Sequence, residues 1–173
     1  AGQCRDLTAE QPLGPFFPNN GTPFDPIRED ANEREIALAN DNDLTFVQGA
    51  GQTSSAIGQV AFIEGVVTDA QCNPIPDATV IIWQASFAGR YNHMRDSQNM
   101  SFVHPNTGEI IDREHDENFQ YWGKAITDAD GKYVFKTIIP GFYPANLDAG
   151  WYRPPHIHFM VSAMGRETLV TQM

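Results

Sequence analysis

A chain of 173 residues is long enough for one domain with a real hydrophobic core. Hydrophobic residues make up 41%, and no apolar run approaches the ~18 residues of a membrane span, which describes a soluble globular protein with no membrane partner. The net charge of -11 argues against nucleic acid or an anionic membrane surface, although a local arginine can still admit an anionic substrate into a cleft.

Residues 1–58 carry little periodicity. Thr8 to Gln11 has the composition of a helical turn, but Pro12, Gly14, Pro15 and Pro18 stop its extension. The segment Gly14 to Pro18 is rigid and apolar, so it is expected to pack. Glu29 to Asn40 is charged, with only Ile36 and Leu38 as anchors. With no core of its own, this stretch reads as an irregular arm laid over a single domain, with a β core over 59–173.

Strand signals begin at Val60 to Thr68, with Gly65 a candidate bulge. Asp69 to Pro76 is turn chemistry. Ala78 to Gln84 is β-branched and almost continuously apolar, the mark of a strand covered on both sides. The pattern then lapses for about 38 residues, longer than an ordinary connection and so a functional loop with fragments of structure. It holds Tyr91, His93, His104, His115 and Tyr121. Gly123 to Thr127 resumes the pattern, and Asp128-Ala129-Asp130-Gly131 makes a hairpin turn into Tyr133 to Phe135. His156 to Ser162 and Thr168 to Gln172 are the last two strands. The fold class is all-β: an antiparallel β-sandwich core with long loops.

The chemistry centres on WYRPPHIHF, Trp151 to Phe159. In a strand, His156 and His158 share one face at roughly 7 Å, close enough to lean onto one metal ion, while Ile157 and Phe159 face the core. In a helix they would diverge by about 200°. An isolated His-x-His is as readily a pair of hydrogen-bonded strand histidines. His93, His104 and His115 sit among polar residues and read as solvated. Tyr143 lies against Pro144, and Tyr91 follows a strand end where loops present functional groups. A phenol ionises near pH 10, so it ligates at neutral pH only when a strongly Lewis-acidic ion takes its proton. Two phenolates with two imidazoles suit Fe(III) better than zinc.

The segments LTAEQPLGPFFP, GVVTDAQCNPIPDATVIIWQ, GRY, TDADGKYVFKTIIPGFYP and WYRPPHIHF, in that order, resemble the intradiol ring-cleavage dioxygenases over most of the chain. The resemblance implies a non-haem Fe(III) enzyme that opens a catechol between its hydroxyls with both atoms of O2, giving a cis,cis-muconate. It implies Tyr91, Tyr143, His156 and His158 as iron ligands. Tyr143 would be the axial tyrosine that leaves on substrate binding and His158 the opposite axial ligand, with Tyr91 and His156 retained. Arg153 matches the arginine beside the bound ring, and Gln172 a glutamine just outside the ligands. Arg90 is a candidate for a ring carboxylate, as in protocatechuate. A homo-oligomer is compatible with the family.

The chain departs from the family pattern at its ends. Relatives continue through further strands where this chain reaches Met173, and a missing strand there would expose a sheet edge. The helical N-terminal region of catechol-specific relatives is not visible, which favours the protocatechuate-like or exported branches. Cys4 and Cys72 read alone as two thiols of a cytoplasmic enzyme. The resemblance to exported members instead implies a Cys4–Cys72 disulfide and a secreted or periplasmic location.

Other classes share parts of this pattern. Transthyretin-like and adhesin-like sandwiches have the look of residues 65–80 and only bind partners. A cupin also carries His-x-His, but needs a glutamate four or five residues beyond the second histidine, where Ser162 and Ala163 stand. An extradiol enzyme would want two histidines and a carboxylate on Fe(II).

Overall fold

Alternating side chains turn VAFIEGV into β1 (Val60–Val66) in the computed structural model, which describes residues 7–17, 41–51, 53–93, 95, 96 and 99–173. The strand alternates exposed and half-buried side chains and pairs antiparallel with β6 (Lys132–Ile138), from Val60↔Ile138 to Val66↔Lys132 without a break. The bulge expected at Gly65 is absent. Gly65 is there because the Tyr133 ring from β6 crosses the place its Cβ would take. The register slip of the fold lies between Pro144 and Asn146, in the hairpin of β7 (Tyr143–Asn146) and β8 (Trp151–Arg153).

A four-stranded antiparallel sheet forms the other layer. Its order is β10 (Leu169–Gln172), β9 (Ile157–Ser162), β2 (Thr79–Gln84) and β5 (Trp122–Ile126). One face of this sheet and the β1–β6 pair enclose the main core. Val80 and Ile82 from β2, Ile157 and Phe159 from β9, and Phe135 and Ile138 from β6 meet there with Leu44 and Phe119. The opposite face carries a second apolar cluster of Trp83, Trp122, Met160, Tyr91, Tyr143 and Phe17. Strand β2 therefore has apolar neighbours on both faces, which accounts for its continuous apolar run.

Buried Gln84 joins the two layers. Its Nε2 donates to the carbonyls of Ile138 and Ala85, and its Oε1 accepts from the Thr137 hydroxyl. The long loop between β2 and β5 contains a short hairpin, β3 (Ser101–Val103) with β4 (Ile110–Asp112). The Asp128 turn closes as its sequence demands, with Gly131 at φ 72° and the Asp128 carboxylate accepting from the Asp130 and Lys132 amides.

The described parts of the arm lie against both layers. Asp43 bridges β6 at Lys136 and Leu44 is fully buried. On the other side, the Gln11 amide donates to the Val170 carbonyl and the Thr171 hydroxyl to the Ala9 carbonyl. Thr8 to Gln11 is extended, not helical, because those bonds engage β10. Among the described residues none is in a helix, and no helix is long and apolar enough to cross a membrane. Glu29 to Asn40, Cys4 and Pro18 lie outside the described residues.

Candidate metal centre

Strand β9 places His158 in a cross-sheet row. It stands opposite Gln172 of β10 on one side and Trp83 of β2 on the other. The Trp83 indole lies flat on the imidazole, with centroids 4.7 Å apart and planes 8° from parallel. That stack fixes the ring plane. His156, two residues earlier, lies just ahead of the strand, after Pro154 and Pro155. Its Nδ1–H donates to the Pro154 carbonyl at 2.6 Å, which leaves a bare lone pair on Nε2 in the neutral ring.

Those Nε2 atoms meet on one phenol. The Tyr91 hydroxyl lies 3.2 Å from Nε2 of His156 and 3.2 Å from Nε2 of His158. The Tyr143 hydroxyl joins them through a hydrogen bond with Tyr91, the two rings standing edge to face at 5.6 Å. Tyr143 reaches the cluster because β7 sets it directly opposite Arg153 of β8. All four ligand candidates are buried, Tyr91 and His158 each to 3% exposure.

The electrostatics fit a cation. Burial, then the neighbouring His156 and Arg153 charges, push His158 down to about 3, and burial also lowers His156. Both imidazoles are therefore neutral and able to ligate at neutral pH. Burial raises both phenols, Tyr91 the more; Arg153 opposes this for each. Tyr91 has one proton to offer two imidazole nitrogens and a second phenol. His158 Nδ1 is buried with no hydrogen-bond partner. A cluster so rich in lone pairs and poor in protons is what a Lewis-acidic ion completes. Among the described residues no group of three His, Cys, Asp or Glu side chains exists that could hold a metal, so the further donors to this histidine pair are phenols. The residues present fit ferric iron.

Arg153 and Gln172 also come to this place. The Arg153 guanidinium donates to Gln172 Oε1 at 2.8 Å, and Gln172 Nε2 donates to the Pro12 carbonyl of the arm at 2.9 Å. Arg153 is thereby held from both the sheet and the arm. Arg90 points elsewhere: its guanidinium donates to the Met100 sulfur and the Arg113 carbonyl. The three loop histidines are also outside the cluster, but they are partly buried rather than solvated. His104 packs on Phe142 at 5.0 Å, His115 on Tyr121 at 4.8 Å and His93 on Phe16 at 5.7 Å.

Sequence reasoning missed the cover. Phe16 lies 4.7 Å from the Tyr91 ring, and a Cβ on Gly14 would stand 3.2 Å from His158 Cε1. The signal was the rigid GPFFP run, which announces packing without saying against what. A separate cleft of about 820 Å³ is lined by Glu64, Lys124, Lys132 and Tyr133 among others, and none of the four ligand candidates lines it.

Known proteins resemble this chain in sequence and in fold. The family model described as Dioxygenase matches residues 35–173. The protocatechuate 3,4-dioxygenase beta chain of Burkholderia cepacia is 36% identical over 134 residues, covering 77% of this chain and 51% of that one. Hydroxyquinol 1,2-dioxygenase of Rhodococcus opacus is 31% identical over 179 residues, covering 97% of this chain and 46% of that one. The solved dioxygenase domain of a dioxygenase carbohydrate-binding protein fusion from Streptomyces sp. SirexAA-E aligns with a TM-score of 0.58 at 26% identity, covering 97% of this chain and 74% of that one. The chain spans about half the length of the curated relatives it matches. A match that takes in β1 to β10 and all four converging side chains makes this chain a member of the intradiol ring-cleavage dioxygenases, a family of non-haem iron enzymes.

Proposed function

We propose that this chain holds Fe(III) between Tyr91, Tyr143, His156 and His158 and cleaves a catechol between its hydroxyls, both atoms of O2 entering a cis,cis-muconate. The carrying observation is that two imidazole Nε2 atoms lie within 3.2 Å of one buried phenol oxygen. A non-catalytic sandwich has no use for such a cluster, whose burial costs free energy unless something fills it. The iron, when bound, would supply the Lewis acidity that ionises the phenols and the electron acceptor that makes the diol ring reactive towards O2.

The chain's own groups have separable tasks. Tyr143 would be one of the residues holding the iron, and its phenol oxygen is the group that would take the proton of one substrate hydroxyl. Tyr91, His156 and His158 would hold the iron with it, His156 oriented by the Pro154 carbonyl and His158 by the Trp83 ring. Arg153 sets its guanidinium charge beside the anionic ring, aimed by Gln172. Phe16 and the arm keep water from the ligands.

Protocatechuate is the leading substrate, on the similarity to a protocatechuate 3,4-dioxygenase chain. Arg90 is turned to Met100 and the Arg113 carbonyl, so Arg153, beside the ligand candidates, is the cation we assign to a ring carboxylate. The implied Cys4–Cys72 disulfide favours an exported protein. Incubation of the iron-loaded protein with protocatechuate, catechol and hydroxyquinol under labelled oxygen tests the reaction. Two labelled atoms in a carboxymuconate are expected; a yellow semialdehyde, from cleavage outside the diol, would overturn the mechanism.

A further inference from the structure

Arg113 belongs to a stretch, REHDE, that reads as a solvated charge run, yet it is 1% exposed. It follows β4 in the long loop, and every arm of its guanidinium is engaged. Nε and Nη2 donate to the Gly89 carbonyl at 3.1 and 2.6 Å, and Nη1 donates to the Asn99 carbonyl at 3.2 Å. Nη2 also meets both carboxylate oxygens of Asp96, at 2.9 and 2.8 Å. That carboxylate in turn accepts the Tyr91 amide at 2.7 Å. The guanidinium carbon lies 5.8 Å from the centre of the Tyr143 ring.

The buried pair meets the two tyrosines differently: its carboxylate holds the Tyr91 backbone, while its guanidinium faces the Tyr143 ring, where the charges of Arg153 and Asp96 also act. The turn that Arg113 grips is itself pressed on the Tyr143 strand: Gly89 has φ 73°, and a Cβ there would stand 3.2 Å from the Tyr143 Cβ. A loop cross-link needs hydrogen bonds, which a neutral side chain could supply. It does not need a permanent charge facing a tyrosine, and a buried pair of this kind is seldom a net source of stability.

We infer that Arg113 is a positioning residue of the metal centre, fixing the loop that carries Tyr91 and holding a permanent positive charge against Tyr143 so that the two tyrosines are unequal donors. The inference rests on the two-tyrosinate ferric reading proposed above. Its consequence is directional. A positive charge nearer one phenolate lowers that donor's energy, so Arg113 would make Tyr143 a weaker donor to a bound metal than it is without the guanidinium.

The test compares Asp96→Asn with Asp96→Asn/Arg113→Met, both loaded with iron. The carboxamide introduced by Asp96→Asn retains an oxygen for the Tyr91 amide, and the double variant leaves no unpaired buried charge, so the two proteins differ in the guanidinium. The visible phenolate-to-iron band is expected at longer wavelength in the double variant, with the same iron per chain. Repeated in a Tyr143→Phe background the difference should vanish, because Arg113 acts through Tyr143. Coincident bands, or an undiminished shift without the Tyr143 hydroxyl, would overturn the inference. If the double variant takes up no iron, Arg113→Lys decides: iron uptake with the band at the parental wavelength is expected. A displaced band or no iron in Arg113→Lys would reduce Arg113 to a structural cross-link. A parent protein that binds iron but shows no such band fails the ferric reading itself, a distinct outcome.

Discussion

At the scale of single residues, the site depends on lone pairs aimed by their neighbours. His156 is set by the Pro154 carbonyl and His158 by the flat Trp83 ring. Replacing either histidine by alanine is expected to leave the purified protein without iron, read as metal per chain; Tyr143→Phe should retain iron but bind catechol more slowly. Full iron in a histidine variant would remove that side chain from the ligand set. Gly14 is a second test. At φ 79° it occupies a conformation costing other residues about 1–2 kcal/mol, and any side chain begins 3.2 Å from His158 Cε1. Gly14→Val is expected to lower iron affinity more than it lowers the unfolding midpoint, and the reverse order would make Gly14 a turn residue only. The histidine pair was legible because a strand period of two puts such residues on one side. Tyr91 drew notice locally only as a residue past a strand end and Tyr143 as one beside a proline; their reading as ligands came through the family resemblance. Gly14, Trp83 and Arg113 were not legible, because what each touches is set by chain far away in sequence.

Among the elements, the strands of the two core layers announced themselves and the loop hairpins did not. β1, β2, β5, β6, β9 and even the four-residue β10 were readable from apolar or β-branched runs bounded by turn residues. The β3–β4 and β7–β8 hairpins have strands of three or four residues, too few for a period to declare itself. Gly65 misled because a glycine in a strand marks either a bulge or a close approach, and only the Tyr133 ring decides. Two predictions live here. Gln84→Leu leaves the Ile138 carbonyl and the Thr137 hydroxyl buried without their partner, and should cost about 1–3 kcal/mol in denaturant unfolding. A change under 0.5 kcal/mol, roughly that of a surface substitution, would mean the layers are held by apolar packing alone. Asp43 gives a pH test. Burial raises its carboxyl, but the Thr45 and Lys136 hydrogen bonds outweigh this and hold it below its ordinary 3.8. A depressed carboxylate stabilises the fold above the unfolded value and loses that contribution as pH falls through the folded one. The pair is only half-buried and screened by solvent, so Asp43→Asn should cost about 0.2–1 kcal/mol at pH 7. The gap to the parent should close below about pH 4, near the unfolded carboxylate value; a gap that widens in acid would refute the assignment.

On the scale of the whole molecule, two properties reach beyond the site. The first is the proposed Cys4–Cys72 bridge, whose long loop corresponds to about 4 kcal/mol in a chain-entropy picture. Thiol counting in denaturant without reductant is expected to find none, and two titratable thiols would remove the case for export. The second is charge. The chain carries a net -11, while the site presents the fixed charge of Arg153, half-buried beside the four ligand candidates. A carboxylated catechol approaching this protein first meets a repulsive field, which salt screens beyond about 10 Å at 0.1 M. Its final contact with Arg153 is short and partly shielded from solvent, so salt weakens that contact less. Raising salt from about 10 mM to 0.15 M should therefore lower KM for protocatechuate, with little change for catechol, which is uncharged at pH 7. Equal responses of the two substrates would show that the field of the whole molecule does not reach the site. A KM for protocatechuate that rises with salt would place the dominant electrostatic contribution at Arg153 instead.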